Sequence, residues 1–319
     1  MIDRSATGLT IILHGCDGSV WHVHGEGAGA EGVWCGKDQV QGLFDPPVRT
    51  AWASGARQRG GRMRGRWYDP RDLDLGFHLV AARVPRTDQE TLMSQFWQAF
   101  DYREDDYDWD AVLPRVQVIS PKSDRFLEVQ LRQNRDFNPG IDPLIRQHAN
   151  PTLPLRAGMP FWQEKPDVSK WTTSATSGSG TVKVWNPTPL PMAQKWILTR
   201  GNWVVPDRSI EGPANNRRLG TSKRTGRDDS ARDILMPPIG AVQGGATVDL
   251  DPEKLMVRDA HGTNLLGQMP VPGRYFEYEI PPHTQPIELP ISVTGAPAGA
   301  GAMAQLVMPR LWPLPIGGQ

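Results

Sequence analysis

The sequence predicts a mainly β protein, with an N-terminal unit of sheet and one helix followed by a β-sandwich. Three observations carry this reading. Short runs of alternating apolar and polar residues recur along the chain at the period of a half-buried strand. The 33 glycines and 30 prolines are scattered between those runs, as the punctuation of many turns. One segment, residues 87–101, places apolar side chains at helical spacing. Folds of alternating strands and helices need a crossover helix between parallel strands, so a single helix argues against that architecture and against most metabolic enzymes.

Taken in order, residues 9–14 and 19–24 read as a hairpin around Cys16-Asp17-Gly18-Ser19. Residues 25–32 form a Gly/Ala loop, and 48–53 and 63–82 supply further strands. In the helix, Thr87 is the expected N-cap and Glu90 its capping-box partner. Leu92, Met93, Phe96, Trp97 and Phe100 then make the face turned to the core. Residues 112–120 and 125–132 form another hairpin, turning at Pro121-Lys122-Ser123-Asp124. This first unit is expected to span 1–133. Residues 134–154, rich in Asn, Asp and Pro, read as a connector, and 155–319 as the sandwich. Its strands are expected at 181–185, 195–199, 203–205, 234–236, 247–250, 255–258, 275–280, 287–294 and 303–308. Residues 211–233 interrupt them with Arg217, Arg218, Lys223, Arg224, Arg227 and Arg232 and almost no large apolar side chain. They read as a long basic loop leaving the sandwich.

Composition bounds the rest. The 319 residues make two domains the default, and a body of this mass buries roughly three-quarters of its unfolded surface. Basic and acidic residues balance at 35 each, which suits a chain that works inside an assembly. Residues 1–8 lack a long apolar run, so no secretory leader is expected, and no run is long enough for a membrane anchor. The two cysteines, Cys16 and Cys35, fit a reducing cytosol, with a Cys16–Cys35 disulfide as the alternative in an extracellular particle.

No chemical motif reaches the strength of a catalytic signature. Gly27-Ala28-Gly29-Ala30-Glu31-Gly32 matches G-x-G-x-x-G, but Val33-Trp34-Cys35-Gly36-Lys37 does not open the helix a dinucleotide needs. His14, Cys16, His22, His24 and Cys35 lack the paired spacing of a structural zinc site. Asp106, Asp108 and Asp110 copy the start of a calcium loop, yet Ala111 and Gln117 stand where glycine and glutamate belong. There is no G-x-S-x-G elbow. No metal or cofactor is therefore expected, and most of the tryptophans read as core or interface. Two charged groups stand out instead. Arg62, Arg64 and Arg66 make a basic stripe on a strand, suited to phosphate contact, to acids on another subunit, or to plain solvent. Asp105, Asp106 and Asp108 sit in an acidic run, from Asp101 to Asp110, that would pair with basic loops on a neighbour or face solvent.

Several segments, taken together, resemble the distal tail (Dit-like) minor tail proteins of long-tailed bacteriophages infecting actinobacteria. They are Asp17-Gly18-Ser19-Val20-Trp21, the stretch from Leu43-Phe44-Asp45-Pro46-Pro47-Val48 to Phe77-His78, and Leu155-Arg156-Ala157-Gly158-Met159-Pro160-Phe161-Trp162. Asn186-Pro187-Thr188 with Lys195-Trp196-Ile197-Leu198-Thr199 follows, then Val248-Asp249-Leu250-Asp251-Pro252 with Asp259-Ala260-His261-Gly262-Thr263-Asn264. Ile280-Pro281-Pro282-His283-Thr284, continuing to Pro309-Arg310-Leu311-Trp312, completes the set. The resemblance implies a belt domain that closes into a ring, usually of six copies, and a galectin-like sandwich outside it. It implies a non-enzymatic virion protein at the tail tip, assembled in the host cytoplasm. Its partners would be the tail-tube protein, the tape-measure protein and the tip or baseplate proteins, with a lumen for transient DNA passage. Arg62, Arg64, Arg66, Asp105, Asp106 and Asp108 would lie at the ring interface or lumen. The alternative is carbohydrate binding through the sandwich during host attachment.

Overall fold

The computed structural model describes residues 8–102, 112–211, 218–219 and 226–317. The chain is mainly β and divides into two compact units. Unit 1 is Met1–Glu164 with Trp312–Gly318, and unit 2 is Lys165–Leu311.

Unit 1 opens with β1 (Thr10–His14) and β2 (Val20–His24), paired as the expected hairpin. There follow β3 (Val33–Gln41), β4 (Val48–Ala53), β5 (Arg62–Tyr68) and β6 (Arg71–Leu79). A 3-10 turn at Ala81–Arg83 leads into helix α1 (Gln89–Gln98). Beyond the helix come β7 (Arg115–Ser120), β8 (Ser123–Glu128), β9 (Gln130–Leu131), the single-turn α2 (Pro143–Arg146) and β10 (Thr152–Ala157). The first residues of β11 (Trp162–Thr173) pair with β8. Two antiparallel layers result: β2, β1, β7 and β8 in one, and β3, β6, β10 and β9 in the other. Each strand turns alternate residues inward, so Leu73, Leu75, Phe77 and Leu79 of β6 join Val116, Val118 and Leu127 in one core.

Helix α1 caps that core. Phe96 is fully buried, with its ring 5.3 Å from both Trp21 of β2 and Phe77 of β6, edge to face in each case. The helix therefore bridges both layers and does not simply cover one sheet. Leu92 and Phe100 are buried, while Met93 and Trp97 pack half-buried at the rim. The cap differs from expectation. Asp88, not Thr87, accepts the Thr91 N–H at 2.8 Å, and its second carboxylate oxygen takes the Thr91 hydroxyl at 2.9 Å. A carboxylate at this position also complements the positive end of the helix dipole.

Residues 134–154 form no free connector. Asp136 pairs with Thr152, Ala149 pairs with Leu79, and β10 fills the gap between β6 and β9. The boundary accordingly falls inside β11, after Glu164, not at residue 155.

Unit 2 contains β12 (Gly178–Asn186), β13 (Lys195–Leu198), β14 (Asn202–Pro206), β15 (Ile210–Glu211) and β16 (Arg218–Leu219). It continues with β17 (Asp233–Leu235), β18 (Ala246–Asp249), β19 (Val257–Asp259), β20 (Thr284–Thr294) and β21 (Ala302–Trp312). One layer runs β12-β20-β14-β17 and the other β19-β18-β13-β21. Both contribute to a single core around Trp196, Trp203, Leu289, Ile291, Leu306 and Met308, which makes the unit a sandwich.

Residues 275–280, expected as a strand, pair only at Ile280, opposite Met192. The buried Asp207 carboxylate takes the N–H groups of Glu277 and Tyr278, at 3.0 and 3.1 Å, in place of a neighbouring strand. Nor is 211–233 wholly a loop leaving the sandwich. Its start pairs back through β15 and β16, and Arg232 is buried with its Nε donating to Asp207 at 2.8 Å.

Candidate functional site

The feature that needs a functional account is the hairpin of β4 and β5. Among the described residues these strands pair only with each other, forming a two-stranded sheet of their own. Every residue from Val48 to Trp67 is exposed except Ala51 and Gly65, which are half-exposed. A ribbon with no sheet to back it is marginal in water. This one nonetheless displays large apolar groups: Trp52 is 64% exposed, Trp67 55%, Met63 53% and Val48 51%. Among them stand Arg49, Arg57, Arg59, Arg62, Arg64 and Arg66, and no acidic residue occurs from 48 to 68.

The ribbon springs from a rigid base. Arg71 is 1% exposed, and its guanidinium donates to the carbonyls of Gly42, Leu43, Pro160 and Pro313. Burial pushes it down to about 10, with Asp45 opposing, which leaves it charged at neutral pH. Trp162 Nε1 donates to the Leu43 carbonyl at 3.0 Å, and Tyr68 packs edge to face on Phe161 at 4.7 Å. Arg49 pairs with Asp69 across the foot of the ribbon.

The predicted stripe is thus displayed on this arm. Arg62, Arg64 and Arg66 are exposed, and among the described residues none has a carboxylate partner; Arg66 lies 5.1 Å over the Tyr68 ring. A register shift between Ala51 and Trp52 interrupts the ladder beside them. Asp105, Asp106 and Asp108, with Asp110 of the calcium-like run, lie outside the described residues. What the sequence reading missed is the ribbon itself. Val48, Trp52, Met63 and Trp67 read there as ordinary strand residues, and the signal was the lack of any acid across 48–68.

The other candidates are bound up in structure. His22 Nδ1 meets Glu31 Oε1 at 2.8 Å, and the His22 N–H donates to Glu31 Oε2 at 2.9 Å, closing the glycine loop. Gly32 has φ +79°, and a Cβ there would stand 2.9 Å from Val84 and 3.0 Å from Leu92, so the glycine permits close approach of the helix. The chain then enters β3, not a helix. His14 meets Gln117 at 2.7 Å. Cys16 and Cys35 are free, and burial pushes the Cys35 thiol up to about 12. Among the described residues no group of three or more His, Cys, Asp or Glu side chains is gathered. A cleft of about 440 Å³ beside α1 is lined by Asp17, Ser19, Trp21, Glu31, Thr87 and Gln95. Its two carboxylates are already taken, Asp17 by Ser19 and Glu31 by His22. In unit 2, Trp196 and Trp203 are buried, and Trp171 and Trp185 are half-buried. Among the described residues no helix is long and apolar enough to cross a membrane.

No protein-family profile and no curated protein matches the chain. Solved structures do. The crystal structure of the SPP1 Dit protein, described as a paradigm of the hub adsorption apparatus in phages infecting Gram-positive bacteria, aligns with a TM-score of 0.51 at 10% identity. The alignment covers 95% of this chain and 99% of that one. Chains of the phage P2 baseplate, in its activated conformation with Ca or with Sr, align at TM-score 0.49 and 10% identity over 95% of this chain and 98% of theirs. The likeness to SPP1 Dit spans both units, and the chain therefore has a Dit-like fold.

Proposed function

We propose that the chain is a structural protein of a phage tail tip. Copies close into a ring, as the resemblance to Dit-like tail proteins implies, between the tail tube and the tip or baseplate proteins. The ring keeps a lumen for the tape-measure protein and for DNA. The observation that carries this reading is the end-to-end likeness to SPP1 Dit, reaching across both units and not one common module. Fold alone does not fix function. The exposed ribbon lends independent support, because an isolated hairpin bearing two tryptophans and six arginines suits a chain that works in contact with others.

Unit 1 takes the belt role, and unit 2 the outer, galectin-like one. Carbohydrate binding by unit 2 is the competing reading, and a glycan array on the full chain separates the two. For the ring, mass photometry of the purified chain at micromolar concentration should show a discrete cyclic oligomer, and images of assembled tails should place it at the tip. Monomer alone in solution, together with absence from the tip, overturns the proposal.

A further inference from the structure

Unit 1 carries two features of opposite charge and shared apolar character. The first is the β4–β5 ribbon, where six arginines and no acid lie between residues 48 and 68. Its ladder pairs Thr50 with Arg66, Ala51 with Gly65 and Trp52 with Met63, so Arg64 is passed over. Directly paired residues share a face. Trp52, Met63 and Arg66 therefore stand together on one side, where Trp52 Nε1 donates to Thr50 Oγ1 at 3.1 Å. Arg49 and Trp67 pair on the other side. Each face offers a tryptophan beside an arginine, and all five of these side chains are exposed.

The second feature is the cleft of about 440 Å³ beside α1. Its apolar lining includes Val20, Trp21, Val84 and Leu92, and its carboxylates are Asp17 and Glu31. Among the described residues no basic side chain lines it. Val20 is 41% exposed and lies on β2, the edge strand of its sheet. Ser19 donates its N–H and its hydroxyl to the same oxygen of Asp17, at 2.9 and 2.6 Å, and His22 holds Glu31. Those bonds fix the two carboxylates without exhausting them, since an ionised carboxylate has roughly four acceptor sites.

We propose that the β4–β5 ribbon of one copy docks in the α1 cleft of a second copy, with a tryptophan against the apolar lining and flanking arginines on Asp17 and Glu31. This rests on the ring reading above and specifies its contact. Arginine and aromatic side chains are enriched where protein surfaces meet, and arginine forms forked bonds to carboxylates. Both halves of the contact belong to the same chain, so every copy can give a ribbon and receive one. Because ribbon and cleft are different surfaces, the contact is head-to-tail, and repeated by rotation it closes a ring. The cleft argues for a second copy over nucleic acid: phosphate would meet the arginines but leave the complementary cleft without an occupant.

A charge swap tests this on the full-length protein. The ribbon variant carries Arg62→Glu, Arg64→Glu and Arg66→Glu. The cleft variant carries Val20→Lys, Ala30→Lys and Gln95→Lys, exposed lining positions whose side chains make none of the bonds that hold Asp17 and Glu31. A third variant combines all of these changes. Near-UV circular dichroism checks that each is folded. Sedimentation velocity at micromolar concentration should show the parent as an oligomer. Each triple variant should associate at least about tenfold more weakly, because like charges then oppose each other in the contact. An equimolar mixture of the two should regain the oligomer, since acidic ribbon then meets basic cleft and basic ribbon meets acidic cleft. The combined variant should regain it alone.

If the parent is oligomeric and both triple variants remain so, the docking inference falls while the ring stands. Dissociation in the ribbon variant but not in the cleft variant puts the ribbon on another surface and overturns the inference too. A monomeric parent overturns docking, whatever images of assembled tails then show of the ring. Recovery in the combined variant without recovery in the mixture shows a contact within one chain and overturns docking between copies. Retarded migration of a short DNA duplex at physiological salt, abolished in a ribbon variant whose oligomer is intact, assigns the arginines to nucleic acid and likewise overturns it.

Discussion

At the scale of single residues, the helix shows what periodicity reveals and what it hides. Counting apolar side chains at helical spacing found Leu92, Phe96 and Phe100, all buried. It missed Gln89, just as buried, whose amide donates to the Leu79 carbonyl at 3.1 Å while its Oε1 accepts the Ala81 N–H at 3.0 Å. A polar residue that satisfies backbone groups of a turn leaves no mark in a hydrophobic pattern. The same holds for His78 and His148, which lie 70 positions apart in sequence. Their ring nitrogens meet at 2.9 Å, and the rings stack at 5.1 Å. Burial first, then the charges of His78 and Arg146, hold His148 below the usual histidine range. The unfolded chain then binds the proton more readily than the folded one, so stability is full above the usual range and is lost as pH falls through it. Acidifying from about pH 7.5 to about pH 5.5 should lower the denaturation midpoint of unit 1. His148→Gln should flatten that dependence. An equal slope in parent and variant, followed by urea titration at each pH, would remove the pair as its source.

At the scale of elements, most strands were legible because one face of each is buried and alternation survives in the sequence. β10 and β11 were not, for a physical reason. β10 contains Pro154 and follows an Asn- and Pro-rich stretch, and β11 carries Lys165, Pro166 and Asp167 at its middle. Their pairing comes from partners far along the chain, which no local pattern records. Residues 275–280 fail in the opposite direction, since their alternation is strand-like but Asp207 holds their backbone. Asp207 is fully buried; burial raises its carboxyl, while Arg232 and the N–H groups of Tyr278 and Glu277 favour the charged form. Arg232 also donates to the Tyr275 carbonyl at 2.5 Å and to Glu277 at 3.0 Å. Asp207→Ala takes the acceptor from the Arg232 Nε and from two backbone donors, while Glu277 still pairs with the guanidinium, and costs about 3 kcal/mol. Thermal unfolding should register that loss in unit 2. Adding Arg232→Met should recover part of it, because the buried Nε donor that lost its acceptor goes too. A double variant no more stable than Asp207→Ala would show that the ion pair is not the source of the cost.

At the scale of the whole molecule, the division into a helix-bearing unit and a sandwich was legible, but the course of the chain through it was not. The sequence reading assigned everything after 155 to the sandwich, whereas Trp312–Gly318 belongs to unit 1. The reason is a set of carbonyl acceptors, which carry no sequence signature. Arg71 donates to the Pro313 carbonyl at 3.0 Å. Arg125, 1% exposed, donates to those of Leu314 at 2.9 Å and Gly317 at 2.5 Å and stacks 4.0 Å over the Trp312 ring. The Ser123 hydroxyl donates to the Pro315 carbonyl at 3.2 Å. Hydrogen bonds from charged donors contribute about 1.5–3 kcal/mol each, and a buried cation left without acceptors is costlier still. Removing residues 312–319 takes away the Pro313, Leu314 and Gly317 carbonyls together with the buried indole of Trp312. Unit 1 should lose several kcal/mol, on the order of 5, while unit 2 keeps its own core. Calorimetry of the truncated chain should therefore show the unit 1 transition displaced to lower temperature and the unit 2 transition in place. Arg125→Met in the full-length chain, which removes the cation and keeps the segment, should shift the unit 1 transition by less than the truncation does. If truncation leaves both transitions unmoved, the C-terminal segment does not hold unit 1 together. If it displaces both equally, the two units unfold as one cooperative body.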